Sequence, residues 1–243
     1  MRILVVNDDG IDAEGIKVLA EWAMHLGEVI VCAPKSQQSG KSHAINIHVP
    51  FEAKKVSYPV EGVTAYCVDS TPVDCVRFAT LGLNQDFDLV LSGINRGLNL
   101  GEDTLYSGTV GAVFEAALRN IPAVAFSTMH YTLDAAQSRL DDVWNFIQSN
   151  GLFSICRHFN VNIPQNDKGI LVTKQGGPYF TDRFDWTDEN KILQSGYCIH
   201  QNNHDLHVDT DATIDGYVTI TPLSTRRYDD DAWQQLQRFA ARK

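Results

Sequence analysis

Much of what would mark a membrane, secreted or nucleic-acid-binding protein is missing from this chain. Its 243 residues contain no apolar run near the roughly 18–20 residues that cross a bilayer, so no membrane partner is expected. The N-terminus, MRILVVNDDG, meets acidic residues at position 8, too early for a signal-peptide core and its small-residue cleavage site. A cytoplasmic location is the expectation. Five cysteines (Cys32, Cys67, Cys75, Cys156 and Cys198) are odd in number, widely spaced and free of any C-x-x-C, which argues against a disulfide or zinc framework. Basic residues are also short. Lys and Arg number 20 against 30 Asp and Glu, a net charge of −10, which disfavours a nucleic-acid polymer as partner. A small anionic substrate is not disfavoured, because a bound cation can invert the local field.

Several catalytic motifs are absent as well. There is no G-x-G-x-x-G after the first apolar run, no G-x-x-x-x-G-K-[ST], no G-x-S-x-G and no H-E-x-x-H. These absences weaken nicotinamide-dependent, P-loop, serine-hydrolase and zincin readings. The eight histidines show no metal-like spacing, and His43 reads as a loop residue.

What is present reads as a globular α/β chain, with 44% apolar and 21% charged residues. Ile3 to Val6 is a continuous apolar run, as in a strand buried on both faces. Ile16, Leu19, Ala20, Ala23 and Met24 then fall on one helical face. Further strands are expected at EVIVCAP, VTAYCVD, DLVLSGI and AVAFS. Helices are expected from Pro72, capped by Thr71, over Val110, Val113, Phe114, Ala117 and Leu118, and over Leu140, Val143, Trp144 and Ile147. Such alternation implies a three-layer αβα fold with a mainly parallel, Rossmann-like sheet. The texture changes after Pro164. The expected division is an α/β domain at 1–165 and a β-rich C-terminal subdomain with a terminal arm at 166–243. In the latter, Val218 and Ile220 alternate with Thr219 and Thr221, which predicts a strand with one wet face. Trp233, Leu236, Phe239 and Ala240 predict an amphipathic terminal helix.

Ligands of open α/β sheets bind outside the carboxyl ends of the strands. The residues at those ends are Asp8 and Asp9, the loop holding Ser39-Gly40, and Ser92-Gly93-Ile94-Asn95. They offer carboxylates, hydroxyls and an amide, hard oxygen donors suited to Mg²⁺, Mn²⁺ or Ca²⁺. Adjacent carboxylates repel unless a cation lies between them. The plainer reading makes Asp-Asp-Gly a turn, and Asn95 and Ser39 ordinary loop residues. Tyr106-Ser107-Gly108-Thr109-Val110-Gly111 precedes an apolar helix, so Ser107, Gly108 and Thr109 read either as a phosphate cradle or as a helix cap.

These pieces resemble the SurE family of survival-protein nucleotidases. The resemblance runs through ILVVNDDGIDAEGI, APKSQQSGKSHAI, VDSTPVDCV, DLVLSGINRGLNLGEDTLYSGTVGAVFEAAL, IPAVAFS, FNVNIP and TDATIDGYVTITPL, in family order and over nearly the whole chain. Ala116 and Asn120 depart from positions where the family commonly has glycine, and neither is among the candidate ligands. The resemblance implies a phosphatase acting on nucleoside 5′- and 3′-monophosphates and, in some members, on short polyphosphate. It implies one divalent metal ion per subunit on Asp8, Asp9, Ser39 and Asn95, and phosphate contacts from Asn95, Ser107, Gly108 and Thr109. It also implies a homodimer or homotetramer built by exchange of the C-terminal arm. Asp8, Asp9 and Asn95 are then the catalytic candidates. Either an aspartate attacks phosphorus or an activated water does. An aspartyl-phosphate route usually places its acid two residues beyond the nucleophile, where this chain has Gly10, and that favours water.

Overall fold

The structure is a computed structural model that describes residues 1–239 apart from 132 and 167. The chain runs β1 (Arg2–Val6), α1 (Glu14–Ala23), β2 (Glu28–Pro34), β3 (Ala53–Val56), β4 (Thr64–Val68) and α2 (Pro72–Arg77). It continues β5 (Leu89–Arg96), α3 (Gly108–Leu118), β6 (Ala123–Thr128), α4 (Leu133–Ser149), β7 (His158–Ile163) and β8 (Ile170–Val172). A hairpin, β9 (Phe180–Asp188) and β10 (Lys191–Cys198), precedes α5 (Asp209–Ile214), β11 (Val218–Pro222) and α6 (Asp230–Leu236).

Nine strands form one sheet in the order β3-β4-β2-β1-β5-β6-β7-β11-β8, parallel except where β3 meets β4 and β7 meets β11. Residues of β1 alternate between its two faces. Ile3 and Val5 join the core under α1 and α4, while Leu4 and Val6 join the core under α2 and α3. Both faces are therefore buried, which is why the strand reads as an unbroken apolar run. From β1 the chain passes through α1 to β2 on one side, and later returns from β4 to β5 on the other. The carboxyl ends of β1 and β5 thus flank a topological switch point, where open α/β sheets leave a crevice.

Thr71 caps α2 as expected, its side chain accepting from Asp74 N at 3.1 Å. Other expectations need correction. In α3 the buried residues include Gly111, Ala112, Val113 and Ala116, whereas Phe114 and Ala117 are half-buried and Leu118 is exposed. The helix is covered on two sides, by the sheet and by the loop through Ser42, so its small residues turn inward. A Cβ on Gly111 would lie 2.2 Å from the Ser42 carbonyl oxygen. The expected wet face of β11 is dry. Thr219 pairs with Thr213 and Thr221 with Thr173, each hydroxyl pair at 2.9 Å, because β11 lies between β7 and β8 with α5 packed on it. Strands β3, β7 and β9 lie outside the expected elements.

The expected boundary at 165/166 falls within the main sheet, since β7 pairs with β11 and β11 with β8. What stands apart in the C-terminal part is the β9–β10 hairpin, a separate two-stranded sheet. Its Phe184, Trp186, Ile192 and Leu193 are exposed, as are Trp233, Leu236 and Phe239 of the tail. Ala240, assigned above to the same tail face, lies outside the described residues. Among the described residues, no helix is long and apolar enough to cross a membrane.

Candidate active site at the carboxyl edge of the sheet

The turn after β1 is built by Asn7. Its amide donates to the Gly10 carbonyl at 2.9 Å and accepts from Gly10 N at 3.2 Å, closing a loop that presents Asp8 and Asp9. Gly10 has φ +105°, open to glycine, and its neighbour Ile11 N donates to Pro34 O at 2.8 Å, tying this turn to the end of β2. Gln38 N donates to Asp8 O at 2.7 Å, so the loop carrying Ser39 is fastened to the same turn. Asn95 closes β5. Its Nδ2 donates to Gly97 O at 2.7 Å, which engages the amide nitrogen and leaves Oδ1 as the end that can donate a lone pair.

Asp8, Asp9, Ser39, Asn95 and Ser107 line one cleft of about 200 Å³. Pairing of β1 with β5 brings Asn95 to the same cleft as Asp8. The cleft also holds residues that strand-end reasoning did not single out: Gln37, Arg96, Asn99, Asp103 and Tyr106. Gln37 Nε2 and Arg96 N donate to Asp9 at 3.2 and 3.4 Å. Asn99 is held by Asn162 and Ser127 at 2.8 and 2.7 Å. Arg96 was visible within SGINRG. Tyr106 was visible at the head of the segment before α3, whereas Asp103 carried no local signal, because it sits in a 3-10 turn, Gly101–Leu105, that is anchored by distant residues. Asp209 accepts from Gly101 N at 3.1 Å, and Asp103 accepts from Phe180 N at 2.9 Å.

Asp8 is only 5% exposed. Its carboxyl pKa is pushed up to about 6 by burial, with the Asp9 charge adding to the rise and the Thr109 hydrogen bonds opposing it. Asp103 is also raised by burial, offset in part by the backbone N–H groups of Phe180 and Tyr179. The lining carries three carboxylates, Asp8, Asp9 and Asp103, and one permanent cation, Arg96. Charge of that sign repels a phosphate ester unless a cation joins it. Among the described residues no three His, Cys, Asp or Glu side chains cluster as a metal site. The donor set at hand is two carboxylates completed by a hydroxyl and an amide oxygen, which fits a hard divalent cation.

Placement of the cradle residues refines their reading. Ser107 caps α3, its Oγ accepting from Val110 N at 3.1 Å, while also lining the cleft. Gly108 lies against Asp8, where a Cβ would stand 2.9 Å from the Asp8 Cβ. Thr109 is wholly buried beneath Asp8 and gives it both its hydroxyl and its backbone N–H. Thr109, expected as a phosphate contact, here orients the Asp8 carboxylate. His43 is likewise directed away from the cleft, to Glu115 at 3.1 Å.

Thr109→Val keeps volume and removes the hydroxyl. Its loss takes away a bond that favours the ionised Asp8, so the acid limb of the pH–rate profile is expected to move to higher pH. A fall in kcat/KM of about tenfold should accompany it, corresponding to about 1.4 kcal/mol. Pre-steady-state assays across pH, with a melting curve as control, check this. A lowered Tm with unchanged kinetics would reduce Thr109 to a packing residue.

Comparison with known proteins finds similar chains. The family model described as "Survival protein SurE" matches residues 3–182. A protein named 5′-nucleotidase SurE from Clostridium botulinum (strain ATCC 19397 / Type A) is 39% identical, covering 92% of this chain and 92% of its own. Another of that name, from Thermosipho melanesiensis, is 34% identical over 98% of this chain and 96% of its own. The crystal structure of the SurE protein from Aquifex aeolicus matches with a TM-score of 0.81 at 31% identity, covering 99% of this chain and 100% of that one.

Proposed function

The chain belongs to the survival protein SurE family, and from that premise we propose that it is a cytoplasmic, divalent-metal-dependent phosphatase that hydrolyses nucleoside 5′-monophosphates, with 3′-monophosphates and short polyphosphate as further substrates. The observation that carries the metal dependence is the crowding of Asp8 and Asp9, one buried, at the switch point of the sheet. Asp8, Asp9, Ser39 and Asn95 would hold one Mg²⁺ or Mn²⁺, which when bound supplies positive charge to a phosphoryl oxygen and lowers the pKa of water.

The chain's own residues do the rest. Thr109 fixes the rotamer of Asp8 through its hydroxyl, and Gln37 and the Arg96 N–H fix Asp9. Ser107, which lines the cleft, and the N–H of Gly108, at the head of an 11-residue helix, would receive phosphoryl oxygens. The Arg96 guanidinium adds the one permanent positive charge of the lining. Positioning and charge neutralisation of this kind supply most of the acceleration in phosphoryl transfer.

Phosphate release from AMP and GMP, measured with Mn²⁺ or Mg²⁺ and again with a chelator, tests the reading. Release that a chelator abolishes and added metal restores is the expected result. Tight nucleotide binding without release would make the protein a nucleotide-responsive module and sink the enzymatic reading.

Assembly through the C-terminal arm is proposed on the exposed rings of Trp233 and Phe239 and the exposed Leu236. Helix α6 spans only seven residues, too short to stand alone in water, so its apolar side needs a surface to dock on. A neighbouring subunit supplies it, giving a homodimer or homotetramer. Deletion of 229–243 is expected to shift the mass in light scattering toward monomer while part of the turnover survives, because none of the described residues of the tail lines the cleft. An unchanged oligomeric mass would remove the arm from the assembly.

A further inference from the structure

Resting on the nucleotidase reading, we propose that a second cavity beside the catalytic cleft, lined by Glu14, Gln37, Arg96 and His130, takes the nucleoside half of the substrate. The cavity measures about 240 Å³ and shares Asp9, Gln37 and Arg96 with the cleft. A nucleoside is joined to its phosphate through a single ester oxygen, so its site must open directly from the phosphate site. The two spaces share three lining residues, Asp9, Gln37 and Arg96, and therefore adjoin.

Both outer walls of the cavity are fastened to the end of β5. On one side, Arg96 pairs with Thr128 of β6, which places His130 two residues beyond the strand end next to Arg96. On the other, α1 packs so tightly that a Cβ on Gly15 would lie 2.0 Å from the Ile94 carbonyl oxygen, which sets Glu14 at the mouth. The cavity therefore keeps a defined position relative to Asn95, one of the four residues that would hold the cation.

The chemistry of the lining matches a nucleoside. Glu14 presents a half-exposed carboxylate, 3.9 Å from Lys17, able to accept from a ribose diol. Gln37 presents an amide that can serve as donor or acceptor. His130 presents a ring braced edge-on by Tyr131, with centroids 4.5 Å apart at 85°, a flat surface on which a base can stack. Arg96 stands at the junction, where the ester oxygen and the phosphoryl charge would lie.

The rival platform is Tyr106, an exposed ring in the lining of the catalytic cleft. The test compares two substrates in the full-length, metal-loaded protein: a nucleoside 5′-monophosphate, and 2-glycerol phosphate, which has neither base nor ribose. The quantity read is the ratio of kcat/KM for the nucleotide to that for the small ester. In His130→Ala the ratio is expected to fall about tenfold, and in Glu14→Gln several-fold, the usual scale for one lost recognition group. Competitive inhibition by free nucleoside should weaken in parallel. Ratios that stay at the wild-type value in both variants overturn the proposal. So does a fall confined to Tyr106→Ala, which would put the nucleoside at the other platform. Wild-type protein that turns over neither substrate would instead overturn the phosphatase reading beneath it, and one that turns over only the small ester would overturn the nucleotide assignment.

Discussion

Asp8→Asn is expected to lose about a thousandfold in kcat, roughly 4 kcal/mol of transition-state stabilisation, and to gain stability in the metal-free state. The two effects share one cause. Burial holds the Asp8 carboxyl at a pKa of about 6, against an ordinary 3.8, so the folded chain binds that proton more tightly than the unfolded chain does. Below pH 3.8 the group is protonated in both states and costs nothing. As pH rises through 3.8 to about 6, the unfolded chain ionises first, and the metal-free protein loses stability on the order of 2–3 kcal/mol. Above that window the loss is complete. A neutral amide of the same shape removes the penalty together with the charge that a cation would need. Chelated wild type and variant, melted in parallel from pH 4 to pH 8, should converge at the acid end and diverge at the neutral end. Wild-type-like turnover in a folded Asp8→Asn protein, or melting curves that stay parallel across pH, would contradict this account.

Gly15→Ala is expected to damage both stability and catalysis, although alanine is the better helix former. At this point α1 meets β5 backbone to backbone, and the added methyl would lie 2.0 Å from the Ile94 carbonyl oxygen. Neither partner is a flexible side chain, so the helix must lift or the strand end must move. Overpacking of this kind costs about 1–3 kcal/mol. The strand end that moves carries Asn95 and Arg96, so turnover should fall about a hundredfold, as small misplacements of catalytic groups do. Apparent metal affinity in calorimetry should weaken too. A variant with full stability and native turnover would show that the contact relaxes elsewhere.

Legibility in the sequence followed burial pattern. Strands β1, β2, β5 and β6 were readable because burial on both faces leaves uninterrupted apolar runs such as Ile3 to Val6. The fold class and the family resemblance were readable for the same reason, and because the polar residues after those runs keep fixed positions. Strands β3, β7 and β9 were not, since AKKV, HFNVNI and FTDRFDWTD carry polar or charged residues that sheet pairing, not composition, makes extended. In β7, the polar Asn160 and Asn162 are both buried and donate to the Asn99 carbonyl at 2.8 and 2.9 Å.

What the sequence by itself determined is local: which segments are apolar, where each ends, and that hard oxygen donors and a helix start follow those ends. Side-chain periodicity and turn chemistry act over a few residues, so they are visible without a fold. Only the tertiary structure decided which ends meet. It placed β1 against β5, turned the Thr109 hydroxyl onto Asp8 instead of toward the cleft, and drew Asp103 and Tyr106 to the site through Asp209 and Phe180. It also opened the cavity of Glu14 and His130 beside Arg96. Those outcomes depend on strand order and on close backbone approach between segments tens of residues apart, neither of which leaves a periodic mark in the chain.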